Sequence, residues 1–421
     1  MIAARLKTND LINPVGIDPG RVVFKWIPER GLFQTAFRVR LETAGQPLFD
    51  SGKIPSSKTE YLCPLPIPSK TEVLWSVTLW DENGREDQPA FASFETGLSQ
   101  ADWTAGWIDP EEKHPEFCRS AGDGFPLNRA SYLRKRFTVP AFRKARLYVT
   151  AHGIYDVYLN GTHVDGYFLA PGISDYERRL QVQTYDAGAF LKEGENEILV
   201  TIGEGWRRGS YGYNMRRYVF GTDLALLCEL QTDGRTVVTS DETWEASQDG
   251  PLGENDPMRL ERYDARQEIE NWHPVRPADF GFGNLVGSGA PVTPHERFKA
   301  KLLTTPNGGI VLDFGQNFAG YVELDVTAKG GEKIVLTHGE VLDADGNFQN
   351  DNFQNKSCPL CRQVVEYICK PGRNLYHRTK GYYGFRYVLL ETDLPVTGAE
   401  FTGVAVYSDM EETAAFTCGN E

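Results

Sequence analysis

Apolar residues in this chain recur at every second position. Near the start, Val22, Phe24 and Trp26 alternate with more polar neighbours, and Phe37, Val39 and Leu41 alternate with Arg38, Arg40 and Glu42. Val73, Trp75, Val77 and Leu79 repeat the theme. Period two turns one row of side chains inward and the other toward water, which predicts half-buried strands. Turn clusters at Asn13-Pro14, Pro64-Leu65-Pro66 and Asp81-Glu82-Asn83-Gly84 separate them. Several short strands in so few residues predict a small β-sandwich over residues 1–98.

After a linker (99–130), a second all-β region is expected over 131–290. Leu147, Val149 and Ala151 form one alternating run, and Tyr155, Val157 and Leu159 the next. Asn160-Gly161 then marks a tight hairpin, because both central positions of a type I′ turn need positive φ. Ile198, Val200 and Ile202 continue the pattern. A third region, 291–412, carries expected strands at 309–314, 320–327, 332–338, 363–368, 385–391 and 400–406. Residues 413–421 read as the start of a connection onward. No long segment of period 3.6 with helix caps occurs. The expected fold class is therefore all-β, several sandwiches in tandem.

Composition narrows the function. Fifty-eight acidic against forty-four basic residues give a formal charge of −14, whereas a nucleic-acid partner calls for a basic face. No apolar run reaches the roughly 18 residues of a membrane span, and the N-terminus lacks a signal-peptide pattern. Seven scattered cysteines fit reduced thiols and a cytoplasmic home better than a secreted disulfide framework. Neutral ligands such as sugars suit this balance.

Particular runs carry a family resemblance. Gly153-Ile-Tyr-Asp-Val-Tyr-Leu-Asn-Gly161, Leu169-Ala-Pro-Gly-Ile-Ser-Asp-Tyr176, Gln183-Thr-Tyr-Asp186, Gly203-Glu-Gly-Trp-Arg-Arg-Gly209 and Tyr263-Asp-Ala-Arg266 follow one another in order. Leu312-Asp-Phe-Gly-Gln-Asn-Phe-Ala-Gly320, His338-Gly-Glu-Val-Leu-Asp-Ala-Asp-Gly346 and Gly384-Phe-Arg-Tyr-Val388 come after them. Together they resemble the front portion of bacterial α-L-rhamnosidases, glycoside hydrolase family 78. Residues 1–98, ending near Phe94-Glu-Thr-Gly-Leu98, separately resemble a fibronectin type III domain, and the rhamnosidase resemblance implies a galactose-binding or jelly-roll-like sandwich followed by a concanavalin-like sandwich. It also implies that a six-hairpin (α/α) barrel cleaves terminal α-L-rhamnose with inversion. There a general acid and a general base, both glutamates, stand roughly 6.5–9.5 Å apart. That barrel would begin after Phe416-Thr-Cys-Gly-Asn420, so no catalytic residue is assigned within this chain.

The most suggestive cluster is Trp206 with Arg207, Arg208, Tyr211 and Tyr213. Indole and phenol faces stack on the C–H faces of sugars, and guanidinium groups bond ring hydroxyls. The competing reading puts Trp206 in a sandwich core with its arginines in solvent. Asp175 and Tyr176 are weaker ligand-facing candidates. The resemblance implies that some members bind rhamnose on this module through calcium; no other cofactor and no protein metal site are expected. Asp343-Ala-Asp-Gly-Asn347 lacks EF-hand spacing and reads as an Asx turn. Cys358 and Cys361 form a lone C-x-x-C, short of the four ligands of structural zinc. Asp313 and Glu340 invite an acid/base reading, but a turn before Gly315 and a strand-end cap explain them better. His152 and His163 lack a nucleophile partner.

The leading expectation is an ancillary portion of an α-L-rhamnosidase. Its partners would be rhamnose-containing glycosides and the catalytic barrel of the same polypeptide, with neither nucleic acid nor membrane. The alternative is a stand-alone rhamnose- or plant-glycan-binding protein.

Overall fold

The computed structural model describes residues 1–111, 128–212, 215–353 and 363–419. Two sheets form the first sandwich. One pairs Ile2–Thr8, Val23–Glu29 and Glu60–Leu62; the other runs Val15–Ile17, Ala90–Thr96, Glu72–Trp80, Ala36–Thr43 and Gln46–Asp50. Phe24, Trp26, Val39, Leu41, Val73, Trp75, Val77 and Leu79 all lie in its core, the inward row that the alternation predicts. The two indoles of this core find acceptors: Trp75 Nε1 donates to Thr8 Oγ1 at 3.0 Å and Trp26 Nε1 to Gln34 Oε1 at 2.9 Å, as buried N–H groups require.

In the middle sandwich, Ala145–His152 lies between Leu180–Asp186 and Ala225–Thr232. The facing sheet places Gly194–Gly203 between Ile154–Leu159 and Ser131–Val139. Leu147, Val149, Ala151, Val157, Leu159, Ile198, Val200, Ile202, Leu226 and Leu230 meet between the sheets. Asn160 (φ +51°) and Gly161 (φ +77°) make the expected hairpin turn, and Asn160 Nδ2 fastens it to Phe190 O at 2.9 Å and Asn196 Oδ1 at 2.8 Å.

The third region is built on a ten-stranded sheet. Here strand partners depart from the sequence reading in three places. The two strands expected at 309–314 and 320–327 form one 19-residue strand, Ile310–Ala328. Its pairing with Tyr383–Thr392 shifts register between Asp313 and Phe318, where Gly315 takes φ +87°. A bulge bends a strand without ending it, so the glycine reads as a terminator when only sequence is seen. Leu252–Asn255 and Leu260–Asp264, from the stretch grouped with the middle region, join this third sheet, the latter parallel to Val364–Ile368. Ile108–Asp109, in the stretch read as a linker, pairs with Ala225–Thr232 and Arg276–Pro277. Periodicity marks a strand but names no partner.

Among the described residues the α-helix amounts to one turn, Gly205–Arg208, and no helix is long and apolar enough to cross a membrane.

Candidate functional site

The single helical turn lies where the middle and third sandwiches meet. Glycine is required on either side of Glu204. A Cβ on Gly203 would stand 2.7 Å from Asn255 Oδ1 and 2.8 Å from Lys380 Cγ; one on Gly205 (φ +53°) would stand 2.6 Å from Ile154 N. The backbone is thus squeezed between two sheets, with Glu204 N donating to Asn255 Oδ1 at 2.7 Å.

Charged side chains fill the seam around it. Arg208 is fully buried and grips Glu111 through two bonds of 2.7 and 3.0 Å, the fork geometry suited to a carboxylate. Glu204, also fully buried, bonds Arg217 and Asn128. Burial pushes its carboxyl up, and the Arg217 and Arg208 charges offset part of that. Asp256 accepts from Ser210 N at 2.8 Å and Ser210 Oγ at 2.9 Å. Lys380, from the third sandwich, is wholly enclosed; its Nζ donates to Asp156 and, at 3.0 Å, to Thr201 Oγ1 in the middle sandwich. Arg378 beside it donates to Glu261 Oε2 at 3.3 Å and Asp256 O at 2.7 Å.

The candidate sugar-facing residues divide. Tyr176 and Tyr211 both pack edge-on to Phe220, with centroids 5.1 and 5.7 Å away, and Trp206 lies partly buried at the rim of the same cluster. Tyr176 is buried, its hydroxyl donating to Gly172 O at 2.9 Å. Arg207 is buried and turned inward, paired with Asp223 at 2.8 Å under Phe280. Burial raises the Asp223 carboxyl, but His152 and Arg207 outweigh it and hold the group below the usual range. The reading that leaves the arginines in solvent needs correction: Arg207 and Arg208 are buried, one paired with the half-buried Asp223 and the other with the buried Glu111. Asp175 is exposed beside Arg178. Tyr213 lies outside the described residues, as do Cys118, Cys358 and Cys361.

Sequence reasoning missed a second side to Trp206. Together with Pro257, Met258, Gln363, Tyr382, Tyr383 and Gly384 it lines a cleft of about 240 Å³. The signal available was the Tyr382-Tyr383 pair just before a strand; nothing local tied it to Trp206, some 180 residues earlier.

Asp313 holds Arg386 through bonds of 2.9 and 3.1 Å and accepts from Gly315 N at 2.8 Å. Glu340 accepts from Asn317 at 3.1 Å and Asn352 at 2.9 Å. Asp343 Oδ1 accepts from the N–H groups of Asp345 and Asn347, an Asx turn. Among the described residues no group of three or more His, Cys, Asp or Glu is placed to hold a metal ion. Calcium takes six to eight oxygen ligands. Around Trp206, Glu111, Glu204 and Asp223 are tied to arginines and Asp256 to Ser210, so these carboxylates do not fit an open calcium cage.

Tandem β-sandwiches joined through a buried ionic seam define a multi-domain β-sandwich protein. Three family models match the chain in order: the Rha78A-like N-terminal immunoglobulin domain at 3–100, the α-L-rhamnosidase N-terminal domain at 141–304, and the bacterial α-L-rhamnosidase concanavalin-like domain at 303–407. An α-L-rhamnosidase of Formosa agariphila is 29% identical over 97% of this chain and 47% of its own length. The crystal structure of an Aspergillus terreus α-L-rhamnosidase superposes with TM-score 0.88 at 27% identity, and that of Dictyoglumus thermophilum with 0.85 at 26%; each match covers all of this chain and 50% of the other. The chain belongs to the bacterial α-L-rhamnosidase family, glycoside hydrolase family 78, and corresponds to its N-terminal β-sandwich portion. It spans about half the length of the curated relatives it matches.

Proposed function

We propose that this chain is the supporting front portion of an enzyme that hydrolyses terminal α-L-rhamnose from glycosides with inversion. It packs against a helical catalytic barrel of the same polypeptide and presents Trp206 and Tyr211, with Asp175 nearby, toward rhamnosylated substrate. The observation that carries this reading is the unbroken order of three rhamnosidase domain matches from residue 3 to residue 407.

Asp313, one of the two carboxylates that invite an acid/base reading, supports a non-catalytic role. Inverting hydrolysis needs one acid kept protonated beside one ionised base. Asp313 does not serve as that acid. Burial raises its carboxyl, yet Arg386 and the Gly315 N–H bring the net position below the usual value, so it is ionised at neutral pH. A reducing, cytoplasmic setting accords with the buried free thiols of Cys63, Cys228 and Cys369.

The test is release of nitrophenol from an aryl α-L-rhamnoside by this chain alone. The expected rate equals that of buffer. Turnover proportional to protein concentration and abolished by Glu340→Gln would refute the proposal.

A further inference from the structure

We propose that the cleft between Trp206 and the Tyr382-Tyr383 pair binds one neutral pyranose ring, gripped by two sandwiches at once. The inference rests on the rhamnosidase reading and deepens it by naming a binding place that the middle sandwich does not form by itself.

Four observations converge. Trp206 comes from the middle sandwich and Pro257, Met258, Gln363, Tyr382 and Tyr383 from segments of the third, so the walls are held together across the seam by the buried Lys380–Asp156 pair. The volume of about 240 Å³ falls below the roughly 300–1,000 Å³ of clefts for drug-sized ligands, which suits one ring rather than an extended chain. Three aromatic side chains and the Met258 thioether supply the surface against which the C–H face of a sugar packs. No charged side chain is among the described lining residues, which disfavours an anion or a cation.

A polar acceptor is also in place: Gln363 Oε1 is buried and has no hydrogen-bond partner among the described residues, a condition that normally calls for one. The residue is held firmly at φ +49°, its carbonyl accepting from His338 N at 3.1 Å and meeting His338 Nδ1 at 2.8 Å. A sugar hydroxyl supplies the donor that this acceptor suits.

The experiment is a saturation-transfer NMR titration of the whole chain, with methyl α-L-rhamnopyranoside in one arm and methyl β-D-glucopyranoside in the other. One arm saturates: the rhamnoside if the cleft takes the terminal sugar, the glucoside if it takes the sugar beneath it. Tyr382, half exposed, is the first position to change. Tyr382→Ala weakens the saturating ligand roughly three- to tenfold, and Tyr382→Phe restores it. Gln363→Leu, which removes the acceptor, weakens it about threefold or more and keeps the question open to measurement if Tyr382→Ala does not fold. Arg136→Ala, which breaks only a surface pair with Glu197, leaves it unchanged. Wild-type binding by both Tyr382→Ala and Gln363→Leu, or no saturation in either arm, overturns the cleft. Loss on Tyr211→Ala with Tyr382→Ala silent also overturns it, but leaves a sugar on the Phe220 face and the functional reading intact. Hydrolysis by the chain alone would instead defeat that reading and leave the cleft to be judged by the titration.

Discussion

The core of the middle sandwich and the seam beside it solve burial in opposite ways. Between the two sheets, Leu147, Val149, Ile198, Val200, Ile202 and Leu226 meet as apolar side chains with no exposed surface. That contact is non-directional and tolerates repacking. A few ångströms away, Arg208, Glu204, Lys380 and Arg378 are equally enclosed, yet each is placed by hydrogen bonds with fixed partners. Desolvating such charges offsets much of their attraction, so the seam adds little net stability over an apolar contact. Its consequence is orientation: Lys380 reaches Asp156 and Thr201 in one relative pose of the two sandwiches. The core makes each domain fold, and the seam decides how the walls of the cleft face each other.

The comparison breaks most sharply if one seam partner is removed. Lys380→Met leaves Asp156 buried beside His163 alone, and urea denaturation should show a loss of about 3–5 kcal/mol. Pairing it with Asp156→Leu should recover most of that loss, since replacing both charges with apolar groups is near neutral. Leu226→Ala, in the core, should cost about 2–5 kcal/mol by the same measurement, with no second substitution that repairs it so simply.

A smaller effect sharpens the picture at the seam's edge. His163 faces Asp156 at 3.6 Å, Asp165 at 2.7 Å and the Tyr158 ring. Burial lowers its affinity for a proton, but the two aspartates outweigh this and the net position lies above the ordinary value of 6.5. A raised folded pKa means that its stabilisation is complete below pH 6.5 and disappears as pH rises through the higher folded value. Melting temperatures of wild type and His163→Gln should therefore differ at pH 6 and converge toward pH 9. Least of all, Arg136→Ala breaks the surface pair with Glu197 and should change stability by at most about 1 kcal/mol.

Much of the fold was legible because period two needs no knowledge of partners. Phe24 and Trp26, or Val39 and Leu41, declare their buried face within five residues. Pairing was not legible: Leu260–Asp264 joins the third sheet, although its neighbours in sequence mostly serve the second. Lys380, like any lysine, reads as exposed, because charged residues are enclosed only when paired and its partner Asp156 stands 224 residues earlier. For the same reason one reading left Arg207 and Arg208 in solvent, although both are buried. Trp206 was ambiguous for a physical cause, since it is half-buried and serves both an apolar cluster and an open cleft.

The central claim is that the charged seam makes the middle and third sandwiches one unit whose shared wall carries the cleft. Scanning calorimetry of the wild-type chain and Lys380→Met tests it most directly. The account predicts that the two sandwiches melt in one cooperative transition, which divides in two when the lysine is lost. Separate melting of the two in the wild type, unaltered by the substitution, would contradict it.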